Sequence, residues 1–404
     1  MSGYRQRLSV LRAGLGILHG SRAFGGPIQA SVDITCRCNI RCVHCYYHSP
    51  HVALPNLPEV RLARIVNGEL PQAESLREQL RAEADGPRLH ALLEGLLDLG
   101  TRRFQFSGNG EIFTHPEMLE FIARVKARGS FCVANTNGTL LDRDRMDRLL
   151  ALGFDELRLS LLAGKKEVYN RTHPGIGDGM FDSIRANLLY LADRRRALGV
   201  KRPVVSLVTV IMSHNADDLM GIARLAADVD AGNVIYRMLD DVGDPGLRRL
   251  ALSAEQRAEA RRQFREAERF LDERGIGHNI PNILQVASAQ LDTTEFHSIV
   301  PCYYGWLAAR IGVDGEVRPC CRCYASMGNA FERPFKEIWF GETYRQFRQQ
   351  ALALPKRGTP VPDCDCYSCV HHNANLRVYK ALHPIKQCAN RSRLSVLGDG
   401  AGTD

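Results

Sequence analysis

The sequence lacks any long apolar run: stretches such as Val204 to Met212 fall well short of the roughly 20 residues a helix needs to span a bilayer. A membrane partner is therefore not expected. The first residues, MSGYRQRLSVLRAGLGILHG, lack the sustained apolar core of a secretory signal and read instead as an amphipathic helix. Also missing is any Lys/Arg block interleaved with aromatics, so the formal charge of +8 reads as a basic solvated surface and no nucleic-acid partner is expected. Finally, the 13 cysteines are not spread as a disulfide framework. They are odd in number and gather in two clusters, which points to metal and to a reducing, cytoplasmic location.

What is present suits a soluble enzyme: 45% apolar and 24% charged residues in 404, more than one hydrophobic core usually serves. Six β-branched or alternating runs recur, IQASVDITC (28–36), RRFQFSG (102–108), FCVANTNG (131–138), ELRLSLLA (156–163), VVSLVTVIM (204–212) and NVIYRMLD (233–240). Amphipathic stretches such as Leu89–Leu99 and Met118–Val125 lie between them, and Gly100 and Gly153 stand where a left-handed residue ends a helix. Repeated βα units imply a parallel sheet. Six are too few for a closed barrel, so an α/β partial barrel with its chemistry at the C-terminal strand ends is expected.

The expected organisation is an N-terminal helix over 1–27 and a barrel over 28–240 with an inserted loop and helix at about 46–87. A helical linker over 241–295 follows, in which Ser253 caps an exposed, charge-rich helix. A small α+β cysteine-rich domain over 296–390 and a frayed tail over 391–404 complete the chain.

The first cluster, CRCNIRCVHC, puts four thiols into residues 36–45. Cys38, Cys42 and Cys45 follow directly on a strand end, and three closely spaced thiolates hold three irons of a cubane while leaving the fourth open. Cys36, still on the strand, is the odd one out. The alternative is tetrahedral zinc, with Cys36, His44 or His48 as fourth ligand.

The spacing CxxxCxxC resembles the signature of the radical S-adenosylmethionine (radical SAM) enzymes, with His44 where an aromatic is usual. Three further motifs stand in register on successive strand ends: Ser107-Gly-Asn-Gly-Glu111, Asn135-Thr-Asn-Gly-Thr-Leu140, and Ser160 ahead of EVYNRTHPG. The resemblance implies a partial (β/α)6 TIM-like barrel whose Cys38, Cys42 and Cys45 bind a [4Fe–4S] cluster. S-adenosylmethionine would occupy the open iron, and its reductive cleavage would yield a 5′-deoxyadenosyl radical. It further implies that Gly108 and Gly110 let the backbone approach the methionine moiety and that Glu111 accepts from its ammonium group. Asn137 and Ser160 would meet the ribose or methionine end, and Arg171 the carboxylate. Asn109 departs from the family's glycine. Cys132, within a strand, reads as a core thiol.

The second cluster reads Cys302-x12-Gly315-x4-Cys320, then Cys366-x2-Cys369, with Val313-Asp-Gly-Glu-Val317 as a hairpin turn between the first two thiols. Together with GNAFERPFKEIW it resembles the auxiliary-cluster extension known as the SPASM or twitch domain. The shorter twitch form, one auxiliary [4Fe–4S] cluster on Cys302, Cys320, Cys366 and Cys369, fits better than the seven-cysteine form. A second cluster on Cys321, Cys323, Cys364 and Cys388 is the alternative, and structural zinc another.

An auxiliary cluster near a radical site suits oxidation or epimerisation. About thirty residues precede the first strand, fewer than a leader-binding domain needs. The leading expectation is therefore hydrogen abstraction from a polar, sugar-like or natural-product small molecule. The alternative is a peptide or protein maturase, and the remote one a non-catalytic zinc protein. An external electron donor such as flavodoxin or ferredoxin is implied in the first two cases.

Overall fold

Each of the six runs is a strand, and alternation along it decides what it faces. In the computed structural model, which describes residues 2–66, 68–288 and 293–383, the strands are β1 (Gln29–Asp33), β2 (Arg103–Ser107), β3 (Phe131–Thr136), β4 (Glu156–Ser160), β5 (Val204–Ile211) and β6 (Asn233–Met238). All pair in parallel and in chain order. Ala30, Val32, Phe104 and Phe106 point one way and bury among the outer helices, such as Gly86–Asp98 and Met118–Ala127. Their alternates Ser31, Asp33, Gln105 and Ser107 point the other way and line a central cavity. The polar half of the pattern is thus the inner wall of the barrel.

Gly100 and Gly153 hold φ of +92° and +60° past the helices Gly86–Asp98 and Arg143–Ala151, where they turn the chain into β2 and β4. Cys132 is fully buried in the core, as its strand position implied.

Three features were not foreseen. A seventh parallel strand, β7 (Gly277–His278), joins β6; two residues carry no periodicity to read. The charge-rich helix Ala254–Asp272 does form the Ser253–Gln256 capping box, but it is not free-standing. It buries Phe264, Ala267 and Leu271 and lies against the helix Leu219–Asp228 as part of the outer layer. Third, the cysteine-rich part continues the barrel sheet itself: β8 (Ala308–Ile311) pairs in parallel with β1, and β9 (Glu316–Arg318) and β10 (Gly328–Asn329) extend it antiparallel. The order β10-β9-β8-β1-β2-β3-β4-β5-β6-β7 is one ten-stranded sheet among the described residues.

The inserted segment holds two short helices, Pro58–Val66 and Ala73–Gln79. The N-terminal helix Ser2–His19 buries Ala13 and Ile17 against Tyr303 and Trp306. No described helix is long and apolar enough to cross a membrane. The expected tail and Cys388 lie outside the described residues.

Candidate active site

Beyond β1 the chain leaves regular structure, and neighbouring strand ends hold it in place. Ile34 N donates to Ser107 O at 2.8 Å, Cys36 N to Ala82 O at 2.8 Å, Glu111 N to Arg37 O at 2.8 Å, and Val43 N to Thr172 O at 3.0 Å. Cys38, Cys42 and Cys45 sit on the loop so fixed, unbonded to one another and partly buried. Burial is the main reason their thiols resist ionising: Cys38 is pushed up to about 11, and Cys42 and Cys45 also rise. Mutual repulsion adds to the effect at Cys42, which feels both Cys45 and Cys38. Three desolvated thiols with no cation beside them are a donor set that needs a metal's charge to become thiolates.

The residues that would complete a zinc site are turned elsewhere. Cys36 lines the central cavity, and Asn109 Nδ2 lies 3.6 Å from its sulfur. His48 Nε2 is held between Cys36 O at 2.9 Å and Asn109 O at 3.1 Å. Half-buried His44 neighbours His173. Among the described residues, no three His, Cys, Asp or Glu side chains converge on a single-ion point. The donors fit a multi-iron cluster with three ligands and one free corner.

Two of the residues expected around S-adenosylmethionine do gather at this loop. Asn137 Nδ2 donates to Asn39 Oδ1 at 3.0 Å and lies 3.9 Å from Cys38 Sγ. Glu111 is almost fully buried. Its Oε1 accepts from Phe113 N at 3.1 Å and Thr136 Oγ1 at 2.7 Å, and its Oε2 from Asn137 N at 2.6 Å. It therefore locks the end of β2 to the turn after β3, and burial raises its carboxyl even against those donors. Ser160 ends β4 with its side chain exposed.

Three of the expected residues have partners or constraints within the protein itself. Arg171 Nη2 pairs with Asp217 Oδ1 at 2.7 Å and its Nε donates to His214 O at 2.7 Å, because its helix ends beside the loop after β5. Gly108 and Gly110 are required by the protein itself. A Cβ on the first would run into Thr35 O and on the second into Arg37 O, so they let β2 abut the thiol loop. Sequence reasoning also missed Asn39, whose Nδ2 donates to Thr139 Oγ1 at 2.8 Å, and Asp33. Asp33 accepts from Ser107 Oγ at 3.1 Å and from Arg310 of β8 at 2.8 and 3.1 Å, tying barrel to extension.

In the extension, the β8–β9 hairpin delivers Cys320 toward Cys302. Pairing of Tyr324 N with Asp363 O at 2.8 Å and Asp365 N with Arg322 O at 2.7 Å brings up the segment carrying Cys366 and Cys369. Cys302 feels the charges of Cys369 and Cys366, and Cys320 those of Cys302 and Cys369, so the four expected thiols are neighbours. Burial holds all four protonated in the absence of metal. Of the alternative second set, Cys388 lies outside the described residues. The same strand pairing sets Cys323 beside Cys364 and they form a disulfide, while Cys321 lies 3.5 Å from His371 Nε2.

A cavity of about 800 Å3 opens on the inner face of the barrel, with Cys36 and Cys320 in its lining. Its walls come from inner-face strand residues, from the inserted segment (Tyr46, Tyr47, Arg61) and from the extension (Arg310, Arg322, Tyr324).

A parallel partial barrel with a three-thiol loop after its first strand, continued by a hairpin with four more gathered thiols, defines a radical SAM protein with an auxiliary-cluster domain. The sequence agrees: residues 32–226 match the radical SAM superfamily and residues 302–370 the SPASM iron–sulfur cluster-binding domain, and the chain belongs to that family. Its cofactors are accordingly S-adenosylmethionine, the [4Fe–4S] cluster that binds it, and auxiliary iron–sulfur. The chain is 26% identical to the antilisterial bacteriocin subtilosin biosynthesis protein AlbA of Bacillus subtilis, over 79% of this chain and 61% of AlbA. To the PqqA peptide cyclase of Streptomyces rochei it is 25% identical, over 85% of this chain and 86% of that one. To the AdoMet-dependent heme synthase of Nitratidesulfovibrio vulgaris it is 23% identical, over 84% and 87%. In structure it resembles Streptococcus suis SuiB bound to S-adenosylmethionine, with a TM-score of 0.57 and 14% identity over 85% of this chain and 75% of SuiB.

Proposed function

We propose that the protein is a peptide maturase, which holds a residue of its substrate peptide in the cavity between the cluster loop and the cysteine-rich extension. The observation that carries this reading is the cavity, at about 800 Å3 and walled by both halves of the chain. That is near the upper end of the roughly 300–1,000 Å3 of small-ligand pockets, so a side chain with its flanking backbone fits. A polar metabolite was the leading expectation. The relatives support the peptide better: one is a peptide cyclase, one a bacteriocin biosynthesis protein, and SuiB has been seen bound to its precursor peptide SuiA. The heme synthase speaks for a small-molecule substrate as the second reading.

Cys38, Cys42 and Cys45 would hold the first cluster. When bound there with S-adenosylmethionine, the cluster supplies the reductive cleavage that generates a hydrogen-abstracting radical. Asn39, Asn137 and Thr139 keep the loop against β3, and Glu111 fixes that turn. Asn137 and Ser160 remain the candidates for contact with the nucleoside or methionine end. Cys302, Cys320, Cys366 and Cys369 would hold an auxiliary cluster, with Cys320 reaching the cavity wall. Electrons come from an external donor of flavodoxin or ferredoxin type.

The test is anaerobic turnover of the reduced protein with side-chain-deuterated peptides and, separately, with deuterated sugars. Label reaching 5′-deoxyadenosine from a peptide is the expected result. Label from a sugar but never from a peptide would transfer the assignment to the small-molecule reading.

A further inference from the structure

The cavity carries more positive charge than its own carboxylates answer: six arginines line it against three carboxylates, Asp33, Glu59 and Asp314. Most of the excess is accounted for within the wall. Arg310 is spent on Asp33, and Arg322 on Asp240 and, at 3.7 Å, Asp365. Arg61 differs. It stands on the inserted helix Pro58–Val66, half-buried, and no carboxylate of the described residues lies within 4 Å of it.

Its partners are phenols. Nη1 donates to Tyr324 Oη at 2.9 Å, and the guanidinium lies 5.4 Å from the ring centre of Tyr46 and 6.0 Å from that of Tyr324. These phenols bring no countercharge at neutral pH, since an ordinary phenol ionises only near about 10. Asp240, which feels the charge of Arg61, is engaged by Arg322. In the same cavity lining, Arg318 of β9 likewise has no carboxylate of the described residues within 4 Å, and its Nε is buried without a hydrogen-bond partner. Asp314 stands near Arg318, but its Oδ1 accepts from Glu316 N. A partly desolvated guanidinium without an anion is costly to keep, and a ligand carboxylate offsets that cost by charge-assisted, bidentate hydrogen bonds.

We propose that Arg61, with Tyr46 and Tyr324 around it and Arg318 in the same lining, forms a carboxylate subsite that selects peptides bearing an acidic group beside the residue to be modified. This rests on the peptide reading above and names the substrate class. A carboxylate from a Glu or Asp side chain and one from a peptide C-terminus share the chemistry.

Binding to the cluster-reconstituted full chain under anaerobic conditions tests it by calorimetry. The probes are blocked pentapeptides with central Glu or Gln, the Gln peptide with a free C-terminal carboxylate, and N-acetylglutamate amide. The wild type should prefer one of the carboxylate peptides to blocked Gln by about tenfold, and which one identifies the source. Arg61→Gln should abolish the preference while iron content and affinity for the Gln peptide stay unchanged, and Arg61→Lys should restore part of it. Equal affinity of the wild type for all three peptides, or a preference that survives in R61Q, overturns the subsite. If no peptide binds but N-acetylglutamate amide binds in an Arg61-dependent way, the carboxylate subsite stands and the peptide reading fails. If nothing binds, the subsite fails.

Discussion

The two thiol sets are built by opposite means. Cys38, Cys42 and Cys45 fall within eight residues of one loop, so their sequence spacing already is most of the site. Cys302, Cys320, Cys366 and Cys369 span 68 residues and meet only because a hairpin, a strand pairing and a disulfide converge. The first set is a property of a loop; the second is a property of a fold. Chemistry and stability should therefore separate at the first site and be entangled at the second.

The largest effect tests this directly. Replacing Cys38, Cys42 and Cys45 by Ala should bring reductive cleavage of S-adenosylmethionine to background and remove about four irons, while thermal stability changes little. Iron analysis, product chromatography and a melting curve read all three. A variant that still cleaved the cofactor would remove the basis for placing it at this loop. Next, Cys302→Ala should also remove about four irons, yet leave cofactor cleavage within about tenfold and lower the melting temperature. If instead it abolished cleavage outright, the two sites would not be separable and the contrast would fail.

The double substitution Cys323→Ser with Cys364→Ser sharpens the comparison. As a disulfide the pair should contribute roughly 2–4 kcal/mol to stability, measured by urea unfolding, with iron content unchanged. A loss of about four irons would instead mean that these thiols hold a second auxiliary cluster.

How much could be read in advance follows the same division. All six barrel strands were visible because β-branched alternation is local, and so was the three-thiol loop. The β1–β8 pairing was not, since it joins segments far apart in the chain through edge hydrogen bonds that leave no pattern in either. With it went the Asp33–Arg310 pair, and the two-residue β7 was too short to signal itself. Arg171 shows what a motif leaves out: the loop after β5 supplies Asp217 as its partner. Gly108 and Gly110 have a packing reason that no motif states. Sequence can say that no Cβ fits; only the fold says it is Thr35 and Arg37 that exclude one.

The smallest expected effect is a difference in acid sensitivity between the two regions. The thiol loop leans on the end of the helix Lys166–Thr172 through Val43 N and Thr172 O, and two imidazoles, His44 and His173, lie there. Desolvation pulls both down to about 4, and His44 is lowered further by the nearness of His173. In mild acid the unfolded chain therefore binds protons that the folded chain refuses. The stability these groups contribute is present above the ordinary imidazole value and lost as pH falls toward 4. Between about pH 7 and about pH 5 the loss should be on the order of 1–2 kcal/mol per imidazole. Urea unfolding of the metal-free chain at both pH values measures the sum, and His173→Gln should remove roughly half of it. Hydrogen exchange should show the acid-induced opening at residues 42–45 and 169–173 before it appears around Cys366 and Cys369. Opening that began in the extension would mean that the converged site, not the loop, is the weaker cradle.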